Sequence, residues 1–300
     1  MTKKHPHSEN VLTDLRDYWY SPDFIALMAK RWELNQVKSM LDVGCGIGHW
    51  GQLIAPFLSP DMHMIGIDPE ELWIVKATER AKQKGLASRA TYQLGTAESI
   101  PFPDDSFDMV TCQTVLIHVK DAAISLKEML RVLKPGGLIA VAEPNNVVSS
   151  LIFNNLTFND SVNDIIEPAR FALICERGRE KLKRGNANRG DMMPFYFQEA
   201  GLKNIQVYLS DLADYFIPPY ETPRERLTLL ELYEYSKEGW DETRRELQEL
   251  FLAGGGLLSE FEVHWKRLRK SKDQMIDGYK NKTLFSAGGL IIYLISARKD

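Results

Sequence analysis

The stretch LDVGCGIGHWG, residues 41–51, sets an acid and three alternating glycines between two apolar runs. Alternate glycines remove side chains where a strand turns sharply and where a ligand touches backbone N–H groups. The residues leading in, KSMLDVG (38–44), read as a short buried strand. The residues leading out, HWGQLIAPFL, place Trp50, Leu53, Ile54, Phe57 and Leu58 at helical spacing, so one face is apolar. Asp42, just before the glycines, offers a carboxylate to a cation or a hydrogen-bond donor.

The same rhythm continues outward. Ser21 as N-cap and Pro22 at the first helical position open a helix near residue 22. Strands are expected at 63–68, 90–94, 107–113 and 138–144. Between them run a helix stopped by Gly85 and another, DAAISLKEMLRVLKPGG, with Leu126, Met129, Leu130 and Leu133 on one side. Strands alternating with helices imply βαβ units and a parallel sheet covered on both faces. In such sheets ligands bind beyond the carboxyl ends of the strands, where the glycines sit.

After residue 145 the rhythm breaks. Residues 146–192 carry mixed short helical signals and the polar stretch KRGNANRGD, and PFYFQEAGLKNIQVYLSD then resumes as helix, turn and strand. Residues 211–283 read as helical throughout. Thr222-Pro223 opens one segment, Asp241 opens another that ends at three glycines, and SEFE (259–262) reads as a capping box for a third. SAGGLIIYLISARK (286–299) reads as a last strand.

The chain has 300 residues, 44% hydrophobic and 26% charged, enough for a full core. Its net charge of −4 supplies no global field for nucleic acid or acidic membranes. The charged start, MTKKHPHSEN, lacks the apolar run of a secretory signal, and GGLIIYLIS is far short of the ~20 residues a spanning helix needs. Cys45, Cys112 and Cys175 stand apart without metal-ligand spacing, so a reduced cytoplasmic protein without a bound metal is expected.

Asp68, ending the second strand, is placed to accept hydrogen bonds from a ribose diol, so the site wants an adenosine-like ligand. Gly46, Gly48 and Gly51 match the dinucleotide pattern GxGxxG, but that register begins two residues beyond the strand. The register running from the strand is Asp42, Gly44, Gly46, Gly48. It puts an acid at the loop and suits an ammonium and a sulfonium better than two phosphates.

At these residues the segment resembles the S-adenosylmethionine (SAM) loop of class I methyltransferases, above all the ubiquinone/menaquinone-methylase-like group with its LDVGCGxG. GIDPE, GTAESIPFPDDSFDMV, HVKD, EMLRVLKPGG and AEPN follow in that family's order, and the likeness is dense over 36–145. It extends to EAGLKNIQV and GGLIIYLISARK, which resemble the family's closing antiparallel strand pair. RGNANRGD followed by PFYFQEAGL is similar to uncharacterised bacterial members with an inserted segment.

The resemblance implies an α/β fold, a doubly wound seven-stranded Rossmann-like sheet with its last strand antiparallel, under a helical cap built from insertions. The implied layout is an N-terminal helical segment (1–35), a SAM-binding core (36–145), an insertion over the substrate (146–192), a core helix and strand (193–210), a helical insertion (211–283) and a final core strand (284–300). By position, Asp42, Gly44, Gly46, Ile47 and Gly48 would line the methionine part of SAM. Asp68 would take the ribose hydroxyls, Pro69 would lie beside the adenine, Thr96 and Ala97 would meet the adenine edge, and Gln113 the amino-acid moiety. Thr96 stands where the family usually has Asp or Asn before Ala-Glu, so this adenine contact has a shorter reach.

The implied function is SAM-dependent methyl transfer to a small-molecule acceptor, with neither nucleic acid nor membrane as partner. The insertions would cover the substrate or form a homodimer interface. A non-catalytic SAM-binding protein, an RNA or protein methyltransferase and a nicotinamide-dependent oxidoreductase remain as alternatives. His118 and Glu143 are candidates for a general base, or a loop-packing histidine and a structural acid. His49 reads as a helix-start residue, and Tyr18, Trp19 and Tyr20 as a lid or a helix packed on the sheet. IPPY (217–220) departs from the base-methylase signature at Ile217 and in its place in the chain, and reads as a turn. Arg177, Lys181 and Arg184 would share one helical face, either holding an acidic substrate or simply solvated; HWKRLRKSK (264–272) reads as solvated.

Overall fold

The computed structural model describes residues 14–237, 240–289 and 291–300; the charged start of the chain lies outside them. A 3-10 turn, Asp14–Tyr18, leads into α1 (Pro22–Arg31), whose N-cap is Ser21, with Oγ accepting from Phe24 N. Then come β1 (Ser39–Val43), α2 (His49–Ile54), β2 (His63–Asp68), α3 (Glu71–Gln83), β3 (Ala90–Leu94), β4 (Phe107–Gln113), α4 (Ala122–Val132) and β5 (Leu133–Pro144). They are followed by α5 (Val162–Lys181), α6 (Met193–Glu199), β6 (Lys203–Leu209), β7 (Asp214–Phe216) and α7 (Pro223–Lys237). The chain ends with α8 (Trp240–Ala253), α9 (Leu258–Lys280), β8 (Ser286–Gly288) and β9 (Ile292–Arg298).

Two units emerge. One holds the chain up to Pro144, Arg189–Leu212 and Ile292–Asp300; the other holds Asn145–Asn188 and Ala213–Ile291. The first is built on a seven-stranded sheet ordered β3-β2-β1-β4-β5-β9-β6, in which β9 runs antiparallel to both neighbours, as expected. The order reverses between β1 and β4, which pair in parallel with Asp42 opposite Thr111. Open sheets of this kind bind ligands beyond the carboxyl ends of the strands at such a reversal.

Strand alternation sorts the side chains by face. Leu41, Val43, Val110, Cys112, Ile139, Val141 and Ile295 pack with Leu126 and Met129 of α4 and with Met193 and Phe197 of α6. The opposite face carries Thr111 and Ser296, whose hydroxyls accept from Trp50 Nε1 at 2.7 Å and Trp32 Nε1 at 2.9 Å.

In the second unit α5, α8 and α9 close around Phe171, Cys175, Phe251, Phe261 and Trp265. Two glycines set how closely α5 and α8 approach. A Cβ on Gly178 would stand 1.7 Å from Leu250 O, and one on Gly254 would stand 1.9 Å from Ile174 O. Thr222 and Glu225 form a capping box at α7, each side chain accepting the other's backbone N–H.

Several expectations are corrected. Residues 146–192 contain one long helix, α5, which carries Pro168 in its second turn. The stretch 211–283 is not helical throughout, because β7 pairs with β8 in a small antiparallel sheet. That pairing takes Ser286–Gly288 away from the expected last strand, leaving Ile292–Arg298 in the large sheet. The box expected at 259–262 is displaced: α9 begins after Leu257, whose N–H goes to Glu260. Pro56 shortens α2, and β5 begins at Leu133, before the Pro-Gly-Gly expected to end the preceding helix. Among the described residues no helix is long and apolar enough to cross a membrane.

Candidate active site

The carboxyl ends of β1, β2 and β4 bring Asp42, the glycine loop, Asp68 and Gln113 to one end of the sheet. Gly44 and Gly48 have φ of +62° and +83°. A side chain there would also displace a neighbour, since a Cβ at Gly44 would lie 2.5 Å from Val115 Cγ2 and one at Gly48 2.4 Å from Gln52 Nε2. The loop is tied to its neighbour by Cys45 N donating to Ile67 O at 2.9 Å.

Two carboxylates flank this loop. Asp42 is 1% exposed; its Oδ2 accepts from Gly51 N at 3.1 Å, and its Oδ1 has no partner among the described residues. Burial pushes its pKa up to about 7, with Asp68 adding to the rise and the Gly51 N–H opposing it. Asp68 accepts from Gly46 N at 3.0 Å on one oxygen and from Glu70 N at 3.0 Å on the other. Burial holds its pKa above the usual carboxylate range.

Gly95 N donates to Asp68 O at 3.1 Å, which brings the turn after β3 beside Pro69. In that turn Ala97 is buried, while Thr96 and Pro69 are exposed. Ile47 is half-buried in the loop, and Gln113 is buried, with Nε2 donating to Tyr20 Oη at 2.9 Å.

The two base candidates differ. His118 is exposed on the loop after β4. Glu143 is fully buried and accepts N–H groups from Val115 and Leu116 at 2.9 Å and from Ile117 at 3.3 Å. Burial pushes its pKa up to about 7, yet its oxygens are engaged in bracing that loop.

The N-terminal residues contribute what local sequence did not show. Asp17 Oδ1 meets His49 Nδ1 at 2.9 Å and also Arg80. Burial by itself would raise the Asp17 pKa, but the hydrogen bonds from His49 and Arg80 prevail and hold it well below the carboxylate range. Burial lowers that of His49, which opens α2 as its position implied. Tyr20 is buried and packs against Trp50, with ring centroids 5.6 Å apart, whereas Tyr18 is 37% exposed. Asp17 lies far along the chain from both partners, so no local pattern announces it.

Elsewhere, Tyr220 of IPPY is buried in the second unit with Oη donating to Leu284 O at 3.1 Å, and Ile217 is exposed. Of the basic residues expected on one helical face, Lys181 ends α5 and Arg184 lies beyond it. Arg177 pairs with Glu180, and Arg184 makes two 2.9 Å bonds to Glu249.

Comparison with known proteins identifies the family. Residues 34–187 match the model of a family described as "Methyltransferase domain". The chain belongs to that methyltransferase family. It is 33% identical over 161 residues to the uncharacterized methyltransferase YcgJ of Bacillus subtilis, covering 52% of this chain and 62% of that one. It is 36% identical to the ubiquinone/menaquinone biosynthesis C-methyltransferase UbiE of Geobacter sulfurreducens, over 38% of this chain and 48% of the relative. The chain thus spans less than two thirds of the length of either relative. In fold it is similar to the crystal structure of B. subtilis YcgJ, with a TM-score of 0.53 and 21% identity over 92% of this chain and 98% of that one.

Proposed function

We propose that this protein is a SAM-dependent methyltransferase acting on a small-molecule acceptor in the cytoplasm. The observation that carries the reading is the use of the Gly46 N–H. In a dinucleotide site the loop N–H groups face a pyrophosphate; here Gly46 N donates to the Asp68 carboxylate, and a second buried carboxylate, Asp42, stands behind the loop. Two acids beside the glycines repel phosphate and suit a cationic adenosine derivative.

The residues fit SAM. Asp68 would take the ribose diol, the unpaired Oδ1 of Asp42 would receive a donor or positive charge, and Gln113 would meet the amino-acid end. SAM supplies an activated methyl group on sulfur. The chain's task is to orient the acceptor in line with it and to exclude water. Because Glu143 braces a loop, its carboxylate is not spare for proton abstraction, and exposed His118 is the candidate when the acceptor needs a base.

A small acceptor is supported by the net charge of −4, by the pairing of Arg177 and Arg184 with glutamates, and by a relative named for C-methylation in quinone biosynthesis. Nucleic acid and membrane are not partners in this reading; a homodimer is compatible with it. The test is calorimetric titration with SAM, S-adenosylhomocysteine and NAD, on the wild type and Asp68→Ala. Micromolar binding of the first two, lost in the variant, is expected; binding of NAD alone, or of nothing, would sink the reading.

A further inference from the structure

Residues 14–20 lie across the site as a strap with fixed ends. At one side Arg16 Nη1 donates to Thr114 Oγ1 at 3.0 Å, and Tyr20 Oη receives the Gln113 amide, so both reach the carboxyl end of β4. At the other side Asp17 is fastened to His49, the residue that follows the last loop glycine, and to Arg80 of α3. The Arg16 guanidinium carbon also lies 4.6 Å from the centroid of the Trp19 ring, a cation–π contact. It is close enough to His49 and Tyr20 to influence the titration of both. The strap therefore holds a half-buried cation between the glycine loop and the end of β4.

A ligand with an amino-acid end brings a carboxylate to a crevice already lined by the acids Asp42 and Asp68. A carboxylate buried beside two carboxyl groups needs a cation with directed N–H groups, and a planar guanidinium matches a carboxylate fork to fork. At Nη1 the bond goes to the neutral hydroxyl of Thr114, next to Gln113, which a carboxylate can displace or share.

We propose that Arg16 is a binding residue of this site, pairing with the α-carboxylate of the ligand's amino-acid end, and that Asp17 positions it by fastening the strap to His49 and Arg80. The proposal rests on the SAM reading above. Its test is calorimetric binding of SAM and decarboxylated SAM, which lacks only that carboxylate, to wild type, Arg16→Gln, Arg16→Lys and Asp17→Asn, with unfolding midpoints measured alongside. The wild type is expected to prefer SAM at least tenfold. Arg16→Gln should erase the preference by losing SAM affinity while decarboxylated SAM binds as before, and Arg16→Lys should keep part of it. Asp17→Asn should move the preference toward that of Arg16→Gln. A wild type that binds both ligands equally, or an Arg16→Gln protein that weakens both equally or neither, overturns the role of Arg16. Full preference in Asp17→Asn overturns the positioning role. A wild type that binds neither ligand overturns the SAM reading itself. Should Arg16→Gln fail to fold, Arg16→Lys decides the matter on the same ratio.

Discussion

The two units are held together by different means, and the difference separates scaffold from chemistry. In the second, helices α5 and α8 approach closely because Gly178 and Gly254 offer no side chain, and aromatic rings fill the remainder. Ion pairs such as Arg184–Glu249 and Arg170–Glu260 link its elements at the surface. In the first unit a mostly parallel sheet supplies the core, and a buried carboxylate, Asp42, stands near a strand end with no partner for its Oδ1 among the described residues. An unpaired buried oxygen lowers stability, so one kept beside the glycine loop, where the strand order reverses, points to that place for a ligand.

The largest expected effect breaks the second unit alone. Gly178→Ala would drive a Cβ into the Leu250 carbonyl and should cost about 3 kcal/mol or more. Calorimetric unfolding should show a transition lowered in temperature, with SAM binding by the first unit retained below it. Equal loss of both would mean that the units unfold as one. Next in size, Gly48→Ala places a side chain at φ +83° and against Gln52. The left-handed backbone alone costs about 1–2 kcal/mol, and SAM affinity should drop tenfold or more.

The third prediction concerns pH. The folded pKa of Asp42 is raised from its ordinary value of 3.8 to about 7, so between those values the folded chain binds more protons than the unfolded one. Stability from this group is therefore present at low pH and is lost as pH rises from about 4 to 7, with a slope on the order of 1 kcal/mol per pH unit. Glu143 acts in the same direction from its ordinary value of 4.5. Asp42→Asn should flatten the fall in denaturant midpoint across that window. An unchanged slope would mean that Asp42 is ionised in the fold. The smallest effect is expected at Arg184→Ala, where the pair with Glu249 is about half exposed on both sides. Stability should change by less than about 1 kcal/mol, and methyl transfer should not change. A marked rise in acceptor KM would instead join this residue to the substrate.

Much of the first unit was legible because its signals are local. Ser21-Pro22 starts a helix, Gly85 stops another, and the acid-and-glycine register of 42–48 requires a turn that only a strand end provides. Asp68 and Gln113 end their strands where alternation placed them. The second unit was less legible. Pro168 divides the helical signal of α5 in sequence, yet the helix runs through it from Val162 to Lys181. Three-residue strands such as β7 and β8 have no periodicity of their own and exist because each supplies the other's partners.

The sequence alone determined the order of strands and helices through the first 144 residues, the glycine turn, and which acids stand at strand ends, because propensity, capping and backbone freedom act within a few residues. Only the tertiary structure decided what those groups do. It left Asp42 with a spare oxygen, gave Glu143 three loop N–H groups to hold, and joined Asp17 to His49 and Arg80. Burial and hydrogen-bond satisfaction depend on neighbours distant in the chain, and those neighbours exist only once the sheet has formed.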